Sequence, residues 1–159
     1  MIGNDVIDLA VARIESNWQR KGFLAKIFTA AEQALILNAQ NPTVMVWDLW
    51  SRKEAAYKIY NRATGHRAFN PLQFECSEVF SEIGNVVCLG NRYYTHTEIS
   101  ETCIHTIAVE EKESLKEVVV LEDDTPIKKI GGLPFLEQND KVLSLSHHGA
   151  FKRIVALKL

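Results

Sequence analysis

The hydrophobic pattern of the chain changes its period near residue 70, and this change limits the folds open to it. Before that point, apolar residues recur every three to four positions, which is typical of amphipathic helices. After it, β-branched and aromatic residues occur in short runs bounded by turn residues, which is typical of strands. Helices followed by strands predict an α+β fold, with helices packed on a mainly antiparallel sheet.

Local signals predict where the helices begin. Asp8 suits the N-cap of a first helix. Thr29 and Glu32 form a capping box, in which each side chain satisfies an amide of the first turn. Pro42 suits the first turn of a long third helix. The predicted helices run from the Asp8 cap to about residue 21, over residues 30–39, and from residue 42 to about residue 62, with Gly22 and Gly65 as stops.

A strand is predicted at the N-terminus, over residues 1–7, and seven more after residue 70. Gly90 and Asn91 predict a hairpin turn, and residues 130–134 predict a loop. The later predicted strands span residues 72–78, 85–89, 92–99, 103–109, 118–122, 141–146 and 153–159.

Composition narrows the class of protein. The 159 residues suit one domain, here residues 1–159, and the net charge of −2 argues against a basic nucleic-acid binder. No apolar run approaches the ~20 residues that cross a bilayer, and the acidic N-terminus does not resemble a signal peptide. Cys76, Cys88 and Cys103 show no metal or redox spacing, so they are predicted to be free, buried thiols of a cytoplasmic protein.

The long helix carries two charged residues that need an explanation. On a helical wheel Glu54 falls between Trp47 and Trp50, and Lys58 lies one turn later at the edge of the same apolar sector. A Glu-Lys pair on a solvated face would be ordinary. A carboxylate among large apolar side chains is costly unless a charge meets it. That charge could be Lys58, a structural partner or a metal ion.

The N-terminal strand offers a second carboxylate. Gly3 allows close backbone approach, and Asp5 interrupts an apolar run. Asp5 and Glu54 together would form an oxygen site of the Mg²⁺ type. The alternative for Asp5 is a buried acid held by backbone amides, and Asp8 is explained equally well as a helix cap.

A third cluster lies near the C-terminus, in the segment LSLSHHG of residues 143–149. It reads as a strand with hydroxyls and imidazoles at its tip. The paired histidines could be a surface accident, or His147 could donate to a phosphate oxygen beside Ser146. No Cys or His at supporting spacing indicates zinc.

These three pieces, in this order, resemble the 4′-phosphopantetheinyl transferase superfamily. The G-x-D motif is Gly3-Asn4-Asp5, with Asn4 in place of a commonly apolar residue. The W-x-x-K-E-A-x-x-K motif runs from Trp50 to Lys58, and the S-x-S-H motif runs from Ser144 to His147. Length and motif order are closest to the holo-acyl-carrier-protein synthase subclass.

The resemblance implies a fold, a reaction and residue roles. Phosphopantetheine would pass from coenzyme A to a serine of an apo carrier protein, and 3′,5′-ADP would leave. Asp5 and Glu54 would hold Mg²⁺ with Asp8 nearby, and Lys58 would neutralise charge on the pyrophosphate. The remaining implied contacts to coenzyme A are His147, Ser146 and, for its 3′-phosphate, Arg62, His66 and Arg67.

The resemblance also implies partners. The carrier is an acyl or peptidyl carrier protein, whose acidic helix would meet the basic residues Arg13, Arg20, Lys21 and Lys26. A homotrimer is implied, in which His147 of one protomer serves the Asp5 and Glu54 of the next. Two other classes remain open: a degenerate module that binds coenzyme A or a carrier without transfer, and an unrelated structural domain.

Overall fold

The computed structural model describes residues 1–158, which contain four helices and ten strands. A strand, then helices, then strands follow in the predicted order, and one short helix and two short strands were not predicted. The helices are α1 (Leu9–Glu15), α2 (Phe23–Ile27), α3 (Ala30–Asn38) and α4 (Pro42–Thr64). The strands are β1 (Ile2–Asp8), β2 (Glu75–Phe80), β3 (Ile83–Cys88), β4 (Asn91–Ile99), β5 (Cys103–Val109), β6 (Val118–Leu121), β7 (Ile127–Ile130), β8 (Leu133–Leu136), β9 (Ser144–His148) and β10 (Phe151–Leu157).

The strands form three antiparallel sheets, which confirms the predicted α+β class. The largest sheet has the order β1-β5-β4-β3-β2, so the N-terminal strand forms one of its edges. A three-stranded sheet has the order β6-β10-β9, and β7 with β8 forms a hairpin. β9 and β10 pack against β1, which brings the C-terminal motif to the N-terminal one.

Helix α4 lies on the large sheet, against β1 and β5. A Cβ atom at Gly3 would lie 2.1 Å from the carbonyl oxygen of Ala55, so the strand reaches the helix only because residue 3 is glycine. This confirms the predicted close approach at Gly3. Asp5 on β1 and the second half of α4 therefore lie side by side.

The predicted helix starts are confirmed, because capping is local. Thr29 and Glu32 make the reciprocal capping box, and the Asp8 side chain accepts the amides of Ala10 and Val11. Helix α4 begins at Pro42 and ends beside Gly65, which is left-handed.

The first predicted helix is too long. Helix α1 ends at Glu15 rather than near residue 21, and the short helix α2 follows. The indole of Trp18 donates to Thr43 Oγ1 at 3.1 Å and packs against the core, which requires the chain to leave the helix before it. Sequence periodicity does not report this tertiary contact.

Several strand bounds shift, and one predicted loop is a hairpin. The predicted loop 130–134 is the turn between β7 and β8, where Gly131 and Gly132 both have positive φ. The turn between β3 and β4 is Leu89-Gly90, one residue earlier than predicted. The predicted strand 153–159 corresponds to β10, and its last residue lies outside the described residues.

Cys76, Cys88 and Cys103 are free and buried, as predicted. Among residues 1–158, no helix combines the length and apolarity needed to cross a membrane.

Candidate functional site

A cleft of about 490 Å³ opens between α4, the edge strand β1, the strand β9 and the two short helices. One end is apolar and contains Phe23, Ile27, Trp47 and Trp50. The other end is polar. Its ionisable and hydroxyl side chains are Asp5, Glu15, Glu54, Lys58, Ser146, His147 and His148.

Glu54 stands where the helical wheel predicted, beside the two tryptophans of the cleft. The pKa of its carboxyl is raised to about 7, mainly by burial and also by the nearby Asp5, while Lys58 acts in the opposite direction. Of the groups acting on this pKa, only Lys58 favours the ionised form. The site therefore holds a carboxyl whose charge the described residues only partly compensate.

Asp5 is the second carboxylate of the cleft. Burial raises its pKa, while Lys58 and a hydrogen bond from Ser146 act in the opposite direction. The Ser146 hydroxyl donates to Asp5 Oδ1 at 3.1 Å, and Lys58 Nζ lies 4.0 Å from the same oxygen. The alternative of an acid satisfied entirely by backbone amides does not describe this residue.

Lys58 joins the two strands that border the cleft. Its ammonium donates to the carbonyl oxygens of Asn4 at 2.6 Å and Leu145 at 3.2 Å. Burial lowers the pKa of Lys58, and the carboxylates of Asp5 and Glu54 oppose that shift. With two of its three donors used by the backbone, Lys58 keeps one that faces the carboxylate side of the cleft.

The edge of β1 is capped by side chains rather than by another strand. Alternate backbone amides of β1 each donate to a side chain of β9 exactly 140 residues further on. The pairs are Asn4 with Ser144 Oγ at 2.8 Å, Val6 with Ser146 Oγ at 3.0 Å, and Asp8 with His148 Nδ1 at 2.9 Å. Amides at a sheet edge need such acceptors when they are buried.

Asn4 extends this arrangement behind the cleft. It is fully buried, its Oδ1 accepts from the Ser144 hydroxyl, and its Nδ2 donates to the carbonyl oxygen of Arg153. Its Nδ2 also lies 3.2 Å from His105 Nε2. Burial lowers the pKa of His105 to about 4, so the imidazole is neutral and Nε2 accepts. The polar residue in the G-x-D motif is thus satisfied on every side.

Asp8 is the N-cap of α1, as predicted, and its role near a metal stays a prediction. One carboxylate oxygen accepts the amides of Ala10 and Val11, and the other accepts the amide of Ala150. These bonds lower the pKa of Asp8, the Ala150 bond most. Asp8 does not line the cleft, because its carboxylate turns towards α1 and the turn after β9.

The two histidines of the C-terminal motif have different positions. His147 is exposed and lines the cleft of its own chain, as Asp5 and Glu54 do. Sequence reasoning missed His148, whose Nε2 lies 3.2 Å from Glu15 Oε2. Strand alternation from Ser144 and Ser146 was the signal that could have found it.

Arg62, His66 and Arg67 do not line the cleft. Arg62 donates to the carbonyl oxygen of Leu143 at 2.8 Å, and its Nε and Nη1 are buried without a partner among residues 1–158. Burial lowers the pKa of Arg62. The side chains of His66 and Arg67 are exposed beyond the end of α4. The structure therefore separates these three from the other predicted coenzyme contacts.

Asp5 and Glu54 fit a divalent cation of the Mg²⁺ type. Burial raises the pKa of both carboxyls, Asp5 raises that of Glu54 further, and Lys58 is the one ammonium that opposes the shift of each. Within residues 1–158, no group of three or more His, Cys, Asp or Glu side chains forms a closed metal cage. Sites for Mg²⁺ typically use one or two carboxylates and take their other oxygens from water and phosphate.

Comparisons with known proteins agree with this fold. The family model of the 4′-phosphopantetheinyl transferase superfamily matches residues 1–115. An apo-ACPS structure from Chronobacterium ammoiniagenes is similar with a TM-score of 0.55 and 12% identity, over 68% of this chain and 93% of that chain. The holo-[acyl-carrier-protein] synthase (AcpS) of Thermotoga maritima is similar with a TM-score of 0.53 and 14% identity, over 99% and 83%. No curated protein matches in sequence.

Proposed function

The chain belongs to the 4′-phosphopantetheinyl transferase superfamily, and on that premise we propose that it converts apo carrier proteins to their holo form. It transfers 4′-phosphopantetheine from coenzyme A to a carrier serine with Mg²⁺ and releases 3′,5′-ADP. The proposed type is a holo-acyl-carrier-protein synthase of the cytoplasm, acting on carriers of fatty-acid biosynthesis or on related acyl or peptidyl carriers.

One observation supports this proposal most strongly: Asp5, Glu54 and Lys58 meet at the polar end of a single cleft. Two carboxylates would hold the cation, which supplies charge neutralisation across the pyrophosphate when it is bound. The free donor of Lys58 faces the same place and stabilises charge on the leaving group. The adjoining apolar wall suits the less polar part of a coenzyme, because ligand pockets are mostly lined by apolar side chains with a few polar groups that orient the ligand.

The reaction needs a place for one proton. The serine oxygen forms a bond to the β-phosphorus, the bond from phosphorus to the 3′,5′-ADP oxygen breaks, and the hydroxyl proton leaves. Glu54 receives this proton, directly or through a water that it orients. Glu54 lines the polar end of the cleft, and a general base must lie within hydrogen-bond reach of the proton that it takes, directly or through one water.

His147 is the proposed contact to a phosphate oxygen, because its exposed imidazole borders the polar end of the cleft. Ser146, by contrast, already uses its hydroxyl within the protein. His66 and Arg67 do not line this cleft, so a contact from either residue to coenzyme A would come from a neighbouring copy of the chain. The proposed homotrimer would supply such a copy, and light scattering of the purified protein would detect it.

Carrier recognition is proposed at the basic residues of the first two helices. Arg20 lies over the ring of Phe23, with 5.8 Å from its guanidinium carbon to the ring centroid, and Phe23 lines the apolar end of the cleft. Arg13 lies on α1, Lys26 lies on α2 and Lys21 lies between the two helices, and all three are exposed. Attraction of exposed charges is screened by salt, so the KM for the carrier is expected to rise between 50 and 500 mM salt. An unchanged KM would contradict electrostatic recognition.

The direct test is the intact mass of an apo carrier protein after incubation with the protein, coenzyme A and Mg²⁺. The expected result is the gain of one phosphopantetheine arm, which a chelator abolishes. Several carrier types are tried in parallel. An unchanged mass for all of them, together with measurable coenzyme A binding, would instead support the non-catalytic module.

A further inference from the structure

The side chains of β9 that cap β1 are not equivalent. Ser144, Ser146 and His148 each accept one amide of β1, but each has a different second partner. Ser144 donates to the side chain of Asn4, behind the cleft. His148 faces Glu15, at the far end of the strand. Ser146 alone among the three donates to a carboxylate of the proposed metal site.

The Ser146 hydroxyl has a fixed orientation. It accepts the amide of Val6 at 3.0 Å, and its own proton points to Asp5 Oδ1 at 3.1 Å. Ser146 is 6% exposed, so water does not compete freely for either bond. A hydroxyl with one donor and one buried acceptor contact has little freedom to rotate. The Asp5 carboxylate is therefore held by a group that is itself held by the backbone.

The two side-chain donors nearest to Asp5 approach the same oxygen. Ser146 Oγ and Lys58 Nζ lie 3.1 Å and 4.0 Å from Oδ1, which makes Oδ2 the freer oxygen for a cation. Hydrogen bonds to one oxygen of a carboxylate ligand fix the plane in which the other oxygen meets the metal. With Oδ1 held by the protein and Oδ2 left for the cation, Asp5 has the arrangement of an oriented metal ligand.

We infer that Ser146 is a positioning residue for Asp5, orienting it toward a divalent cation, rather than a contact to coenzyme A. The inference rests on the proposed function. In this inference the second serine of the S-x-S-H motif orients a carboxylate on the N-terminal strand of the same chain. The family match ends at residue 115, so this link between β9 and β1 comes from the structure alone.

Ser144→Ala is the matched control for Ser146→Ala. Each substitution removes one hydroxyl that caps a β1 amide and donates one further hydrogen bond. Both serines are buried, so their losses of stability should be similar. Only Ser146→Ala removes a bond to Asp5. Ser146→Thr keeps the hydroxyl and should restore what Ser146→Ala loses.

The test measures Mn²⁺ binding to the purified variants by electron paramagnetic resonance. The KM for coenzyme A and the Mg²⁺ concentration needed for transfer are measured on the same variants. We expect Ser146→Ala to weaken Mn²⁺ binding about 10-fold and to raise the Mg²⁺ requirement, with KM for coenzyme A unchanged. We expect Ser144→Ala to retain wild-type Mn²⁺ affinity at an equal loss of Tm.

Three results would overturn the inference. Equal Mn²⁺ affinities of the two alanine variants would make Ser146 a structural cap only. A raised KM for coenzyme A with unchanged Mn²⁺ binding would make it a coenzyme contact. Absence of Mn²⁺ binding to the wild type, with or without coenzyme A, would remove the site itself. Failure of the proposed function appears differently, as a wild-type protein that binds Mn²⁺ but modifies no carrier.

Discussion

Helix α4 carries two lysines five residues apart, and their surroundings differ in one decisive respect. Lys53 is completely buried and uses all three donors inside the protein, on Glu32 Oε1 at 2.7 Å and the carbonyl oxygens of Pro71 at 2.9 Å and Ile27 at 3.0 Å. Lys58 makes two such hydrogen bonds, and its Nζ lies 4.0 Å from Asp5 Oδ1, beyond hydrogen-bond distance. A buried charge with complete partners supports the fold, whereas incomplete partners point to a ligand.

The carboxylates repeat this contrast. Glu32 meets Lys53, the amide of Thr29 and the amide of Cys76, so it ties α3, α4 and β2 together. Glu54 has a pKa raised to about 7 and only Lys58 to favour its charge. The two regions lie on one helix, and the following variants test whether their roles separate.

The largest expected effect on stability comes from Lys53→Met. It leaves Glu32 buried without its cation, and breaking a buried ion pair costs about 3–5 kcal/mol of unfolding free energy. Urea unfolding measures it. Adding Glu32→Gln should recover part of the loss, because the remaining buried charge is removed. If Lys53→Met unfolds like the wild type, the account of this lysine is wrong.

Lys58→Met should have the opposite profile. Removing one donor from a charge-stabilising site lowers the transfer rate about 100-fold. Its loss of unfolding free energy should be smaller than that of Lys53→Met, because the Lys58 side chain is partly exposed; the substitution removes two hydrogen bonds to carbonyl oxygens and the ammonium beside Asp5. Single-turnover transfer and urea unfolding are compared in the same buffer. A variant that loses stability but transfers at the wild-type rate would reverse the assignment.

Glu54→Gln should raise stability in a pH-dependent way. The pKa of Glu54 is raised in the folded protein, so the folded state binds more protons than the unfolded state between about pH 4.5 and 7. Wild-type stability from this group is therefore present below pH 4.5 and lost as pH rises through 7. The variant has no carboxyl to ionise at this position, so above pH 7 its free energy of unfolding should exceed that of the wild type by about 1–3 kcal/mol.

This pH series is run with chelator present, by urea unfolding from pH 4 to pH 8. The two proteins should agree near pH 4. A constant difference at all pH values would mean that the carboxyl of Glu54 has an ordinary pKa.

The smallest effect is expected from Arg67→Ala. Its side chain is exposed and away from the cleft, and its carbonyl oxygen, which accepts from Tyr57, survives the substitution. The KM for coenzyme A should change less than about twofold, in keeping with an exposed charge. A tenfold rise would restore Arg67 as a contact to the 3′-phosphate, reached through another copy of the chain.

Sequence reasoning succeeded where the cause is local. The capping box of Thr29 and Glu32 and the Pro42 start follow from neighbouring residues, and the wheel placed Glu54 beside the two tryptophans. It failed where a distant contact decides. The end of α1 depends on Trp18 reaching Thr43.

The site shows the same limit. The roles of Ser144 and His148 depend on the register of β9 against β1, set by chain folding across 140 residues. The cap by Asp8 follows from local sequence, because Asp8 accepts the amides of Ala10 and Val11, but its bond from the amide of Ala150 depends on a contact 142 residues away. Likewise, the identity of Lys53 as a structural residue is invisible without its partner Glu32.

The central claim is that two lysine–glutamate pairs with a member on α4 have different roles: Lys53 with Glu32 stabilises the fold, and Lys58 with Glu54 acts in the reaction. The substitution Glu54→Gln tests this claim most directly. The measurement is the rate at which an apo carrier gains phosphopantetheine, by intact mass, with Glu32→Gln as the control at a temperature where both variants are folded. The account predicts that Glu54→Gln loses transfer by about 1,000-fold or more, as removal of an essential charge-stabilising group does, while Glu32→Gln transfers normally but melts earlier. A Glu54→Gln protein that keeps most of its transfer rate would contradict the account.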